Sequence, residues 1–174
     1  MRHHCQTAES ASAPAGQRGF TLVELMVTLA VVAVLLGIAL PGFNNATLGT
    51  KLSTYANSLV ASANMARSEA IKRNAAVTMC VSTDGATCTG GSWEEGWIVL
   101  AGTDVIVRQN AASTGFKLTG TASTLTFQAT GVGATVATIT ACRALPSVGG
   151  QERVVNISAT GRTSTAKTYT GVCS

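Results

Sequence analysis

Five cysteines, one carboxylate inside an apolar run and a scatter of cations are the side chains of this 174-residue chain with chemical potential. Cysteine could close disulfides, hold zinc or act as a nucleophile. Histidine, the usual helper in the last two roles, is confined to His3 and His4. Its absence from residues 5–174 removes histidine triads, histidine general bases and histidine-ligated metals from the body of the protein. Four-cysteine zinc sites normally use two closely spaced Cys-Cys knuckles, whereas seven residues separate Cys80 from Cys88 and thirty separate Cys142 from Cys173. Gly131-Val132-Gly133-Ala134-Thr135-Val136 begins like a dinucleotide fingerprint, but it lacks the third glycine and no helix follows, so it reads as a turn. Glu94 and Glu95 are adjacent and would alternate across an extended chain, which suits them poorly to a facing acid/base pair. The chain is expected to be no enzyme and to carry no cofactor or metal.

If a leader holding Cys5 is removed, the other four cysteines form an even set, as suits a chain that matures in an oxidising compartment. Proximity along the chain pairs Cys80 with Cys88 and Cys142 with Cys173, one of three pairings that four cysteines allow. The composition is 46% hydrophobic and 11% charged, against a usual ~25% charged, which excludes a highly charged disordered or chromatin-type protein. The net charge of +4 is a mild excess, and nucleic-acid binders usually concentrate much more positive charge on one face.

The uncommon acid is Glu24. Residues 20 to 40, FTLVELMVTLAVVAVLLGIAL, are twenty-one residues with one charge, followed by Pro41. As a helix they reach ~30 Å, the thickness of a bilayer's hydrocarbon core. With Arg2 and Arg18 upstream, the positive-inside tendency keeps the amino terminus cytoplasmic and sends residues 42 to 174 across the membrane. The run exceeds the ~7 to 15 residues of a secretory h-region. A secreted protein with a cleaved signal is the competing reading, and it places the mature amino terminus beyond residue 40. A carboxylate in hydrocarbon costs at least ~2.5 to 3.5 kcal/mol, so Glu24 either lies at the interface or has a partner.

Gly19-Phe20-Thr21-Leu22-Val23-Glu24, with Arg18 before it and Pro41 after the apolar run, closely resembles the prepilin signature of the type IV filament superfamily. The resemblance implies cleavage between Gly19 and Phe20 by a prepilin peptidase, methylation of the new Phe20 amine, and loss of Cys5 and both histidines with the leader. A nineteen-residue leader is longer than is typical of the family. The resemblance also implies that Glu24 sets register by neutralising the Phe20 ammonium of a neighbouring subunit. Each charge is costly alone and tolerable as a pair.

Leu48, Leu52, Tyr55, Leu59, Ala63, Ala66 and Ala70 follow in steps of three and four and predict one face of an amphipathic helix that continues the apolar run through a kink at Pro41 and Gly42 and ends near Asn74. Short β-branched runs then predict six or seven antiparallel strands at 76–81, 97–100, 105–108, 116–118, 125–128, 136–141 and 154–158. Ala101-Gly102-Thr103-Asp104 suits a hairpin loop. The expected fold class is α+β, a type IV pilin-like lollipop whose long helix packs on an antiparallel β-sheet head. Its segments are a leader over 1–19, a transmembrane helix over 20–41, an amphipathic continuation over 42–74 and a periplasmic head over 75–174.

The run Cys80 to Cys88 and Trp93-Glu94-Glu95-Gly96-Trp97-Ile98-Val99-Leu100 are similar to the GspH/FimT family of minor pilins and pseudopilins, nearest its FimT and FimU members. The Cys80–Cys88 loop would staple the end of the first strand, and the two tryptophans would form a corner with one ring over the helix-sheet seam. A carbohydrate-stacking platform is the rival use of that pair. Ile157 to Lys167 resembles the Gly-Arg tail that carries DNA-binding arginines in DNA-uptake members. Arg162 matches it, while Ser164 stands where a second arginine is expected. Arg143, Arg153, Arg162 and Lys167 are the candidate DNA-binding cations, on a loop tied by Cys142 and Cys173. The expected function is a minor pilin that initiates or caps a type IV pilus. A type II secretion pseudopilin and a DNA receptor are the alternatives. The expected partners are other minor and major pilins or pseudopilins, the prepilin peptidase, the inner membrane and DNA.

Overall fold

The protein is described here by a computed structural model that covers residues 19–144, 151–170 and 173, without the side chains of 39–45. Residues 1–18 of the predicted leader lie outside the described residues. One helix, α1 (Leu22–Arg73), precedes eight strands: β1 (Val77–Val81), β2 (Trp97–Ala101), β3 (Asp104–Gln109), β4 (Phe116–Gly120), β5 (Thr124–Phe127), β6 (Ala137–Arg143), β7 (Glu152–Ile157) and β8 (Thr163–Thr168). The chain falls into two compact units, one ending at Pro41 and one spanning Gly42–Ser174.

In the first unit Thr21 caps α1: its Oγ1 accepts the Glu24 amide at 3.2 Å, and its carbonyl accepts the Leu25 amide at 3.1 Å. The side chains from Leu22 to Ile38 are exposed. Among the described residues no helix is long and apolar enough to cross a membrane. The described side chains of the apolar stretch end at Ile38, and residues 39–41 of the predicted span lie beyond them. Pro41 and Gly42, the predicted kink, fall within the helical residues.

In the second unit α1 buries Leu48, Leu52, Ala56, Leu59, Ala63, Ala66 and Ala70. The predicted stripe is reproduced except at Tyr55, which is half-buried while Ala56 takes the core position. Small side chains over the last two turns let the sheets approach the helix backbone, and Ala and Leu favour the helix itself. Asn74 ends it in the left-handed region at φ 48, where Asn tolerates positive φ, and the Ala75 amide closes onto the Ala70 carbonyl at 3.2 Å.

The head holds two antiparallel four-stranded sheets, ordered β3-β2-β1-β5 and β4-β6-β7-β8, where a single sheet was expected. The seven predicted runs each form a strand, and Gly102, at φ 66, turns the β2–β3 hairpin. The eighth strand, β8, occupies residues expected in a loop. It has no apolar alternation because its central residues are exposed on both faces. The inner faces of both sheets close over the α1 stripe in one core that includes Val77, Met79, Leu118, Leu125, Phe127, Ile139, Val155 and Ile157.

Trp93 and Trp97 lie at the centre of this packing, both about fully buried at 1% exposure, with ring centroids 6.3 Å apart in an edge contact. Neither ring presents a face to solvent, so the carbohydrate platform is excluded. The Trp93 indole donates to the Ala122 carbonyl at 2.8 Å, and a Cβ on Gly120 would collide with its ring. Trp97 seals the helix-sheet seam by donating to Ser62 Oγ on α1 at 3.0 Å in a buried setting. Ser62→Ala leaves that indole N–H unsatisfied and is expected to lower stability by about 1–3 kcal/mol. The change should be read from denaturant midpoints at unaltered slope, and an unchanged midpoint would contradict it.

Candidate functional site

The amino-terminal site is assembled from Gly19, Phe20, Thr21 and Glu24, which line an open hollow at the start of α1. The cap places Glu24 in the first helical turn, where a negative charge also suits the helix dipole. The two polar side chains among Leu22–Ile38 are treated differently. Thr28 Oγ1 donates to the Leu25 carbonyl at 2.9 Å, so its hydroxyl is satisfied within the helix. No described cation pairs with the Glu24 carboxylate, and Phe20 beside it is 82% exposed. The capping role of Thr21 was readable as a Thr-x-x-Glu spacing ahead of an apolar run and was not recognised in the sequence.

Both cysteine pairs are closed: Cys80–Cys88 at a Cα separation of 5.6 Å and Cys142–Cys173 at 5.7 Å. The first loop is organised by Asp84. One of its oxygens accepts from Ser82 Oγ at 2.9 Å and from the Ala86 and Thr87 amides at 2.8 and 2.9 Å, and the other accepts from Thr87 Oγ1 at 2.6 Å. The loop is also held to β3, where Arg108 Nε donates to the Gly85 carbonyl at 2.6 Å. The second disulfide anchors the carboxyl-terminal segment beside buried Glu152, which accepts from Thr168 and Thr170 hydroxyls at 2.8 and 2.5 Å. Glu152 lines a threonine-rich hollow of about 340 Å³ that includes Thr119, Thr138, Thr140, Thr168 and Thr170.

Glu94 and Glu95 lie on a single 3₁₀ turn rather than an extended chain. Glu94 accepts the Leu118 amide at 3.1 Å and pairs with Lys117 at 3.2 Å, while Glu95 accepts the Ser92 amide at 3.1 Å. Gly131 and Gly133 sit at φ 74 and 83 in the turn between β5 and β6, as read from the sequence.

The candidate cations do not form one group. Arg153 faces Lys167 across the β7–β8 ladder, and Arg143 shares the core-side parity of β6. All three therefore lie at one end of the second sheet. Lys51 of α1 joins them there. Its ammonium is 5.7 Å from the Phe116 ring centroid, and the Arg143 guanidinium is 5.5 Å from it. Arg153 is tied to α1 through Ser53 Oγ at 3.2 Å. Arg162 stands apart in the β7–β8 turn, about 16 Å along the chain from Lys167 at the usual strand rise. Its neighbour Gly161 packs on Arg67, which donates to the Gly131 carbonyl at 3.0 Å. No sequence signal brings Lys51 to Phe116, which is distant in the chain.

FimU, a type IV minor pilin of Pseudomonas aeruginosa, superposes with a TM-score of 0.52 at 23% identity over 66% of this chain and 92% of that one. EpsH, a minor pseudopilin of the type II secretion system of Vibrio cholerae, superposes with a TM-score of 0.50 at 13% identity over 67% of this chain and 97% of that one. At these identities the likeness concerns fold, and the fold is that of a type IV pilin-like subunit. The sequence model of the family described as type II transport protein GspH matches residues 55–161, more than half of the chain, and that of the prokaryotic N-terminal methylation motif matches residues 14–40. The protein belongs to the GspH family. The pilin-like protein PilA1 of Thermus thermophilus is 46% identical over 70 residues, which are 40% of this chain and 44% of that protein. The chain thus spans less than half the length of that curated relative.

The four hydrogen bonds to Asp84, led by that from Thr87 Oγ1, hold its carboxyl well below the usual aspartate range. A depressed folded value means that the loop's order is fully supported above the ordinary aspartate value near ~4 and weakens as pH falls through the lower folded value. NMR titration should find the Asp84 midpoint below that ordinary value. A midpoint at or above it would contradict the capped loop.

Proposed function

We propose that this chain is a minor pilin, anchored in the inner membrane by residues 20–41 with its head in the periplasm, and built at or near the tip of a type IV pilus to initiate or cap assembly. In this reading a prepilin peptidase cuts between Gly19 and Phe20, the Phe20 amine is methylated, and the apolar half of α1 enters the filament beside other pilins. The observation that carries it is the Glu24 carboxylate, unpaired among the described residues in a stretch whose other polar side chain is satisfied within the helix. Packing such segments against one another removes water. The carboxylate and the Phe20 ammonium of a neighbour then stabilise each other and fix the axial register.

A type II secretion pseudopilus would use the same chemistry. The Cys80–Cys88 loop and the tryptophan corner favour the pilus. Deleting the gene decides: loss of surface pili supports this reading, and loss of secreted enzymes with normal pili supports the other. The DNA-receptor reading has weaker geometric support, because Arg162 is remote from Arg143, Arg153 and Lys167.

The assembly reading is tested by Glu24→Gln. The variant should be trimmed at Gly19–Phe20 as usual yet be incorporated into filaments about tenfold less or worse, as follows from losing ~1.4 kcal/mol or more of pairing. Quantitative immunoblotting of sheared filaments and membranes gives the ratio, and normal incorporation of the trimmed variant would contradict the mechanism.

A further inference from the structure

The head has four sheet edges, and three are closed or distorted by the chain itself. The outer edge of β4 is blocked by Glu94, whose carboxylate takes the Leu118 amide at 3.1 Å. On β5, Thr126 gives its amide to Thr135 Oγ1 at 3.1 Å and takes the Thr135 amide on its carbonyl at 3.0 Å, so the following loop covers that edge. The β3 edge is bent by an irregularity opposite Val99/Leu100 and carries Asp104, paired with Arg73 at 3.4 Å, and Arg108, bonded to the Gly85 carbonyl. Bulges, charges and covering loops are the usual protections of an edge strand.

Among the described residues β8 has neither a bulge nor a covering loop. Its register with β7 is unbroken from Glu152↔Thr168 to Ile157↔Thr163, and Ser164, Thr165, Ala166 and Lys167 are exposed. The one charged side chain, Lys167, lies over the Tyr169 ring, 4.9 Å from its centroid. Threonine-rich backbone of this kind has high strand propensity, and its outer peptide groups find no partner among the described residues.

We propose that β8 is a docking edge that receives an extended, acidic segment of another protein as a fifth strand of the second sheet. The charge pattern selects that occupant. Residues 153–174 carry Arg153, Arg162 and Lys167 and no acid. Arg162 precedes the strand, and Lys167 lies near its other end, beside Arg153. A second copy of β8 brings further cations and no carboxylate to this edge. A carboxylate-bearing strand satisfies both the cations and the backbone, the combination that gives strand addition its affinity and specificity. The proposal is independent of filament entry through α1, because no residue of the amino-terminal site takes part.

The test uses the full-length protein in detergent micelles with a short blocked peptide alternating glutamate and valine, and a control alternating lysine and valine. Amide hydrogen exchange is followed residue by residue. The glutamate peptide should slow exchange within residues 163–168 saturably, by about tenfold or more, and the lysine peptide should not. Lys167→Glu, a change at an exposed side chain, should weaken protection by the glutamate peptide while the unliganded melting temperature stays unchanged. Equal protection by both peptides, protection confined to other strands, or no protection would overturn the proposal. So would β8 protection that rises with protein concentration in the absence of peptide, which marks a second copy as the occupant.

Discussion

Within Leu22–Ile38, Glu24 has the one carboxylate, and no described group of its own chain answers it. The backbone around it is settled: Thr21 caps the helix through the Glu24 amide, and Thr28 turns its hydroxyl back onto the Leu25 carbonyl. What is left is a charge surrounded by exposed apolar side chains, a state that costs at least ~2.5 to 3.5 kcal/mol in hydrocarbon unless a cation arrives. In the proposed reading the amine of another molecule supplies that cation. The same helix, over Leu48–Ala70, is covered by the chain's own sheets and needs no such company.

The head is self-contained by contrast. Three devices of different chemistry hold it closed: the Trp97–Ser62 hydrogen bond across the helix-sheet seam, the Cys142–Cys173 link beside buried Glu152, and the Asp84 cap inside the Cys80–Cys88 loop. The first satisfies an indole N–H that the packing of α1 on the sheets buries, the second ties Cys173 to β6, and the third orders an exposed loop. On this head Lys51, Arg143, Arg153 and Lys167 gather at one end of the second sheet, and Arg162 stands apart.

Much of this was legible in the sequence for physical reasons. The α1 stripe was readable because burial on one helical face repeats every three to four residues, and seven strands were readable because a core face demands β-branched or aromatic residues. β8 escaped because an exposed edge strand has no apolar face to display. The second sheet escaped because run spacing says nothing of which strands pair. At the amino-terminal site, Gly19, Phe20 and Glu24 were recognisable as a motif, while Thr21 was overlooked although its spacing to Glu24 is a helix-start signature. The division of the cations, with Lys51 joining Arg143 at Phe116 and Arg162 left apart, depends on strand register and could not be read from order along the chain.

The proposed intermolecular pairing of carboxylate and amine is most directly measured in filaments assembled from two isotopic populations. One carries ¹⁵N at the Phe20 amine and the other ¹³C at the Glu24 carboxyl. Solid-state NMR should detect a dipolar contact between them at ion-pair distance, about 4 Å or less between N and O, in mixed filaments. No contact in mixed filaments, or a contact within a single doubly labelled chain held as a monomer in detergent, would contradict the account.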